Sequence, residues 1–224
     1  MISLLLPTRK RPQNIVRLHT SVQETADNPS EIELIVAIDD DDDSYDELME
    51  NGLYNTTFFK VPRTVLSKYW NMCFEKASGD ILQHCGDDIV FRTKGWDTKV
   101  KEAFEKYPDN IVFVFGDDGH WKDTFGTHGF IHRKWVETVG YFVPPYFSSD
   151  YNDTWLNDVA RMIGRWHYVD ILNEHMHFAF NKGPLDETHR ERLERHATDN
   201  VNYLYESKLE ERNEDARKLR GVME

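Results

Sequence analysis

The chain has 224 residues, 39% hydrophobic, 13% aromatic and 30% charged, which suits a folded globular protein and excludes wholesale disorder, collagen-like repeats and a disulfide framework. Its length fits one large domain, or one domain with an appendage. With 27 Lys and Arg against 40 Asp and Glu, the formal charge of −13 repels phosphate, so an anionic ligand needs clustered basic side chains or a divalent cation.

The longest apolar candidates, residues 2–6 and 111–115, fall far short of the ~18 residues that cross a bilayer. Pro7 and a basic triplet at 9–11 follow the first run, the reverse of a secretory signal's charge order. A cytoplasmic protein without integral membrane contact is expected. Cys73 and Cys85 form no CxxC and read as reduced, buried thiols.

In chain order, residues 2–6 read as a buried strand ended by Pro7 and Thr8. Pro12 then suits a first helical turn, and Ile15, Leu18 and Val22 keep a helical face until Asn28-Pro29. A second strand at 33–38 runs into five aspartates, Asp39 to Asp43, of which 40 to 43 read as a solvated turn. Residues 58–61 give a third strand. Leu66, Trp70, Cys73 and Ala77 mark a helix closed by Gly79.

A strand at 80–85 enters Gly86-Asp87-Asp88, followed by an amphipathic helix on Trp96, Val100, Ala103, Phe104 and Tyr107, then a strand at 111–115. Residues 116–129, with Asp117, Asp118, His120, Trp121 and His128, read as a long polar loop. A short helix at 133–139, a proline-bearing turn at 140–147, a helix on Tyr151, Trp155, Val159 and Ile163, and a strand region at 166–177 complete the body. Beyond Gly183-Pro184, residues 186–224 are crowded with Arg and Glu and read as a helical tail with a solvated charged face. Alternating strands and helices predict an α/β sheet covered on both faces, with ligands at the strand C-terminal ends.

Four constellations carry chemistry. Carboxylates end two strands, Asp39 on one and Asp87-Asp88 on another, and offer hard oxygen ligands to Mg2+ or Mn2+ or simply cap turns. Thr8-Arg9-Lys10-Arg11-Pro12 is a basic turn before a helix, suited to an anion or merely soluble. His175-Met176-His177 places two imidazoles on one strand face, where either could join a metal or be structural. Asp150 reads as a helix N-cap, and Asp153, one turn inside, is favoured in its ionised form and able to accept a proton from an alcohol.

Taken in order, Pro7-Thr8-Arg9 after the first strand, Asp39 ending the second, Gly79-Asp80 entering a strand that ends Gly86-Asp87-Asp88, and Asp153 eleven residues before Gly164 resemble family 2-like GT-A glycosyltransferases. The resemblance spans about residues 1–180 and implies a Rossmann-like three-layer sandwich with a mixed, mostly parallel central sheet. It divides the chain into a transferase domain, residues 1–185, and a charged helical tail, residues 186–224. It implies that Pro7, Thr8 and Arg9 hold the nucleotide base, that Asp39 hydrogen-bonds it, and that Asp87 meets the donor and its metal. The family's DxD element falls on Cys85-Gly86-Asp87 with its first Asp missing and Asp88 adjoining, so the metal carboxylate stays open between Asp87 and Asp88, and His175 or His177 would join the metal shell. Asp153 would be the base of an inverting transfer, with the family's preceding Glu replaced by Asn152. Trp121, His128 and Asp150 would border the acceptor.

The implied reaction moves a sugar, a UDP-linked hexose being the favoured donor, to a hydroxyl with Mn2+ or Mg2+ as cofactor. The acceptor stays open between glycan, small molecule and a modified DNA base, for which Arg92, Lys94, Lys99 and Lys101 offer a local basic strip. Two other readings compete. A sugar-phosphate nucleotidyltransferase usually carries a glycine-rich loop after the first strand, and residues 7–12 contain no glycine. A non-catalytic nucleotide-sugar or carbohydrate-binding module would use Trp121 and Tyr146 as exposed aromatics.

Overall fold

The computed structural model describes residues 1–223. Eight strands form one sheet: β1 (Ile2–Thr8), β2 (Ile32–Asp39), β3 (Thr56–Val61), β4 (Ile81–His84), β5 (Ile89–Phe91), β6 (Phe113–Asp117), β7 (Phe130–His132) and β8 (Trp166–His175). The helices are α1 (Pro12–Thr25), α2 (Asp46–Asn51), α3 (Leu66–Lys76), α4 (Trp96–Glu105), α5 (Arg133–Val139), α6 (Asn152–Met162), α7 (Glu187–Thr198), α8 (Val201–Ser207) and α9 (Leu209–Arg220).

The strand order is β3-β2-β1-β4-β7-β6-β8-β5. β3, β2, β1 and β4 are mutually parallel, β6 and β8 are parallel to each other, and β7 and β5 run antiparallel to their neighbours. The sheet is therefore mixed and mostly parallel, as the alternation of strands and helices predicts. The period of two along β1 splits the core. Leu5 joins Trp70, Cys73, Trp135 and Trp155 under α3, α5 and α6, while Leu4 and Leu6 join Ile15, Leu18, Val22, Trp96 and Val100 under α1 and α4. Both cysteines are free and buried. Among the described residues, no helix is long and apolar enough to cross a membrane.

Several boundaries depart from the sequence pattern for local reasons. The strand expected at 111–115 begins at Phe113, because the side chain of Asp109 accepts from Ile111 N and holds that segment in a turn. Asp150 is not a helix cap: Tyr151 occupies that position with φ of 72° and no side-chain cap, and Asp150 pairs elsewhere. Within the acidic turn Asp42 is buried, accepting from Lys10 N, Ser44 N and Ser44 Oγ. β5 and β7, three residues each, are too short to show a period.

The expected tail forms three helices, α7, α8 and α9, between Glu187 and Arg220. Val201, Ala216 and Leu219 enter the core beside α5 and α6, and Arg212 lays its guanidinium 3.9 Å from the Tyr205 ring centroid. Asp215 receives the hydroxyl of Tyr141 and the indole N–H of Trp155. Their sparse apolar residues are spaced to meet a few gaps in the body, a pattern too thin for a periodicity to reveal.

Candidate active site

Because β1 lies between β2 and β4, the C-terminal ends of these strands converge where an open sheet receives ligands. A cavity of about 250 Å³ opens there, lined among others by Pro7, Thr8, Arg9, Asp39, Asp87, Asp88, His128, Asp153, His175 and His177. Pro7 and His177, 170 positions apart in the sequence, thus line one cavity.

The β1 turn supplies polar anchors. Thr8 Oγ1 donates to Asp87 Oδ2 at 2.6 Å, and Arg11 Nη1 donates to Asp87 Oδ1 at 3.2 Å. Burial and the neighbouring Asp88 charge raise the Asp87 pKa against the pull of Arg11. Arg9 Nη1 donates to Asp39 at 2.7 Å and to Asp41 at 2.6 Å, and the hydroxyl of Tyr69 also donates to Asp39. Asp39 is thereby held at the cavity edge.

Two antiparallel strand pairs build a second cluster. The β5–β8 register sets Ile89 opposite His175, which brings Asp88 beside that ring, and Nε2 of His175 lies 3.2 Å from Asp88 Oδ2. The β4–β7 pairing continues as His84 N donates to Gly129 O, bringing His128 over Gly86. Ligand atoms of Asp88, His128 and His175 then lie within 4.8 Å of one another. A Cβ at Gly86 would stand 2.8 Å from Asp88 Oδ1 and 3.2 Å from His128 Cε1, so any side chain there would push these two groups aside.

The donor set fits a divalent cation. Nδ1 of His128 faces the His84 carbonyl at 3.1 Å and bonds it as a donor, which leaves Nε2, buried and without a partner, as a lone pair toward the cluster. Burial and the His175 charge hold His128 well below its ordinary pKa, so the ring is neutral. Burial would raise Asp88, but the charge and hydrogen bond of His175 outweigh it and keep the carboxylate ionised. His177 lies next to His175, ring centroids 4.9 Å apart, but outside the set of converging ligand atoms: its Nδ1 accepts from Ala179 N, and burial pushes it down to about 4. Asp87 likewise faces Thr8 and Arg11 rather than this group.

Asp153 occupies the first turn of α6 and accepts from Thr154 N at 2.8 Å. Burial, reinforced by the charge of Asp150, pushes its pKa up to about 6. The helix terminus does not offset this. Beyond Asp153 lies an open groove of about 620 Å³ lined by Trp121, Phe125, Leu193 and His196, and it shares Asp150, Tyr151, Asp153 and Arg192 with the first cavity. Trp121 is 46% exposed on this groove.

Other expected residues fall elsewhere. His128 belongs to the metal-ligand cluster and does not line the groove. Asp118 spends its carboxylate on His120 N, Trp121 N and Thr127 Oγ1, shaping the loop. Tyr146 packs on Trp155 and under Lys208 instead of standing free. The basic strip is largely engaged, Arg92 with Glu174, Lys101 with Glu31 and Lys99 with the Asp170 carbonyl. Arg11, from the basic turn the sequence singled out, bridges Asp87 and Asp186. Missed by the sequence reading are the α7 residues Thr188, Glu191, Arg192 and Arg195 on the cavity wall. Only the i, i+3, i+4 spacing of these α7 residues hinted at a shared face.

Comparison with solved structures gives the same architecture. Mannosyltransferase PcManGT of Pyrobaculum calidifontis, solved with GDP-Man and Mn2+, aligns with a TM-score of 0.63 at 13% identity over 99% of this chain and 73% of that one. TarS 1–349 of S. aureus aligns with a TM-score of 0.60 at 13% identity over 77% of this chain, and its complex with UDP-GlcNAc with 0.61 at 14% over 78%. The chain spans 60% of the length of that TarS fragment. No curated protein sequence matches it. The shared architecture is the GT-A fold, as expected. The sequence model described as glycosyl transferase family 2 matches residues 3–170, three quarters of the chain, and the chain belongs to that family.

Proposed function

We propose that the protein is a metal-dependent, inverting glycosyltransferase that moves a sugar from a nucleoside diphosphate sugar to an acceptor hydroxyl. The carrying observation is the position of Asp153 on the wall common to the cavity and the groove. One carboxylate thereby faces both a donor in the cavity and an acceptor in the groove.

In this reading Pro7, Thr8, Arg9 and Asp39 hold the nucleoside, and Asp88, His128 and His175 hold the metal. Asp87, clamped by Thr8 and Arg11, fixes the floor between them. Two imidazoles make the set softer than an all-oxygen Mg2+ site, which favours Mn2+ of the two cofactors. The bound cation would neutralise charge on the departing diphosphate. Asp153 takes the acceptor proton as the hydroxyl oxygen bonds to the anomeric carbon. The bond from that carbon to the diphosphate oxygen breaks, and the nucleoside diphosphate leaves with its electron pair. Attack from the groove side, opposite the leaving group, inverts the anomeric centre. Trp121 and Asp150 border the acceptor.

Support for a nucleotide-sugar donor comes from neighbours of the same fold, one solved with GDP-Man and another with UDP-GlcNAc. The test is incubation of the protein with UDP- and GDP-sugars, Mn2+ and a panel of hydroxyl acceptors. Acceptor-dependent release of nucleoside diphosphate and a product of inverted configuration by NMR are expected. Donor binding with no release under any acceptor, and no slow hydrolysis, would make the protein a binding module.

A further inference from the structure

α7 is attached differently from α9. Its one buried residue is His189, and Leu193, its largest apolar side chain, is 46% exposed. Charge fastens it instead. Asp186, at its N-cap, accepts Nε and Nη2 of Arg11 at 2.6 Å, and Glu187 accepts Lys10 Nζ at 2.9 Å. Thr188 Oγ1 donates to the Arg9 carbonyl, Glu191 pairs with Arg63, and Arg192 and His196 both meet Asp150. Largely exposed pairs contribute only ~0–1 kcal/mol each. What they fix is the register of the helix over the cavity.

That register turns Thr188, Glu191, Arg192 and Arg195 into the cavity, positions that share one helical face. The cavity arginines are Arg9, Arg11, Arg63, Arg192 and Arg195. The first four each meet a carboxylate: Arg9 meets Asp39 and Asp41, Arg11 meets Asp87 and Asp186, Arg63 meets Glu191, and Arg192 meets Asp150. Arg195 has no ion-pair partner among the described residues, and its Nε is buried without an acceptor. With neither a carboxylate nor a side-chain hydrogen bond among the described residues, the guanidinium of this cavity-lining arginine is left to meet an anion.

We infer that Arg195, carried into the cavity wall by α7, binds the diphosphate of the nucleotide sugar. The inference rests on the donor reading above. A leaving nucleoside diphosphate carries more negative charge than one divalent cation neutralises, and the surrounding protein, at −13, supplies no general positive field. The planar fork of a guanidinium matches two phosphate oxygens. Arg195 lies beyond the residues 3–170 that match the family, so this contact belongs to the chain's own C-terminal helix.

Calorimetry in Mn2+ tests it, with UDP, GDP, uridine and guanosine as ligands and Arg195→Ala, Arg195→Lys and Arg190→Ala as variants. Arg190 lies exposed on the same helix and serves as the control. Arg195→Ala is expected to weaken diphosphate binding about 10- to 100-fold, the loss of a charge-assisted hydrogen bond. Nucleoside affinity is expected to stay at the wild-type value, with partial recovery in Arg195→Lys and no change in Arg190→Ala. Wild-type diphosphate affinity in Arg195→Ala would overturn the inference alone, as would equal loss of nucleoside and diphosphate or an equal loss in Arg190→Ala. A wild-type protein that binds neither UDP nor GDP would remove the donor reading and the inference with it.

Discussion

The Nδ1–H of His128 bonds the backbone carbonyl of His84 at 3.1 Å, and this contact decides which nitrogen faces Asp88 and His175. His84 is itself buried, packed 3.9 Å from the Trp70 ring centroid and pushed by burial down to a pKa of about 4. A rigid, neutral strand end thus orients a neutral ligand, as outer partners do at metal centres.

Metal affinity follows from that geometry. Asp88→Asn and His128→Ala are each expected to weaken Mn2+ binding by at least ~10- to 100-fold, measured by calorimetry or by the paramagnetic signal of free Mn2+. His177→Ala is expected to leave Mn2+ affinity within about 3-fold, because that ring caps the turn at Ala179. Strong binding in Asp88→Asn would dismiss the cluster as the site.

Nucleoside affinity separates the acidic turn into its parts. Asp39→Ala is expected to weaken nucleoside binding, leaving Arg9 and Tyr69 without their shared acceptor. Asp42→Ala is expected to lower stability by about 1–2 kcal/mol through the lost turn bonds, read in denaturant melts. Asp40 and Asp43 are exposed, and alanine there is expected to change neither property.

The tail carries part of the core. Removing residues 209–224 deletes Ala216 and Leu219 and strips Asp215 from Tyr141 and Trp155, exposing indole and phenol groups built to be covered. The melting temperature is expected to fall by several degrees, since each large apolar side chain buried contributes roughly 1.5–3 kcal/mol. An unchanged melting curve would show that α9 packs loosely.

Much of the fold was legible because β1 and β2 are continuous apolar runs, α1, α3 and α4 carry a helical period, and each is closed near a Pro, Gly or Asp. The convergence of Thr8, Asp39 and Asp87 followed from the strand-end rule alone. The ligand set followed only in part. Asp88 and His175 were expected beside a metal, but His128 joins them through two ladders of three residue pairs each, a long-range register that no spacing encodes. Nor did the sequence reveal the role of α7: its Arg and Glu side chains read as solvated, yet Glu187, Glu191 and Arg192 meet opposite charges on the cavity rim.

Asp153 joins stability to activity, and both depend on pH with a definite sign. Burial raises its pKa to about 6 from an ordinary value near 3.9. A base works only when ionised, so kcat/KM at saturating Mn2+ is expected to fall below pH ~6, about tenfold per pH unit. Asp153→Asn is expected to remove that limb of the profile and lower the rate by about 10²- to 10⁴-fold. The stability effect runs the other way. Because the folded pKa exceeds the unfolded one, the native state holds the proton more tightly, and ionisation costs stability as pH rises from about 4 to about 6. At pH 7.5 that cost is fully present, and Asp153→Asn is expected to be more stable than the wild type by roughly 1–2 kcal/mol, a gain that vanishes below pH ~4. Paired denaturant melts at the two pH values measure it. A variant that keeps the wild-type rate would take Asp153 out of the chemistry, and one with no stability gain at pH 7.5 would show that the carboxylate is better solvated than its place between cavity and groove implies.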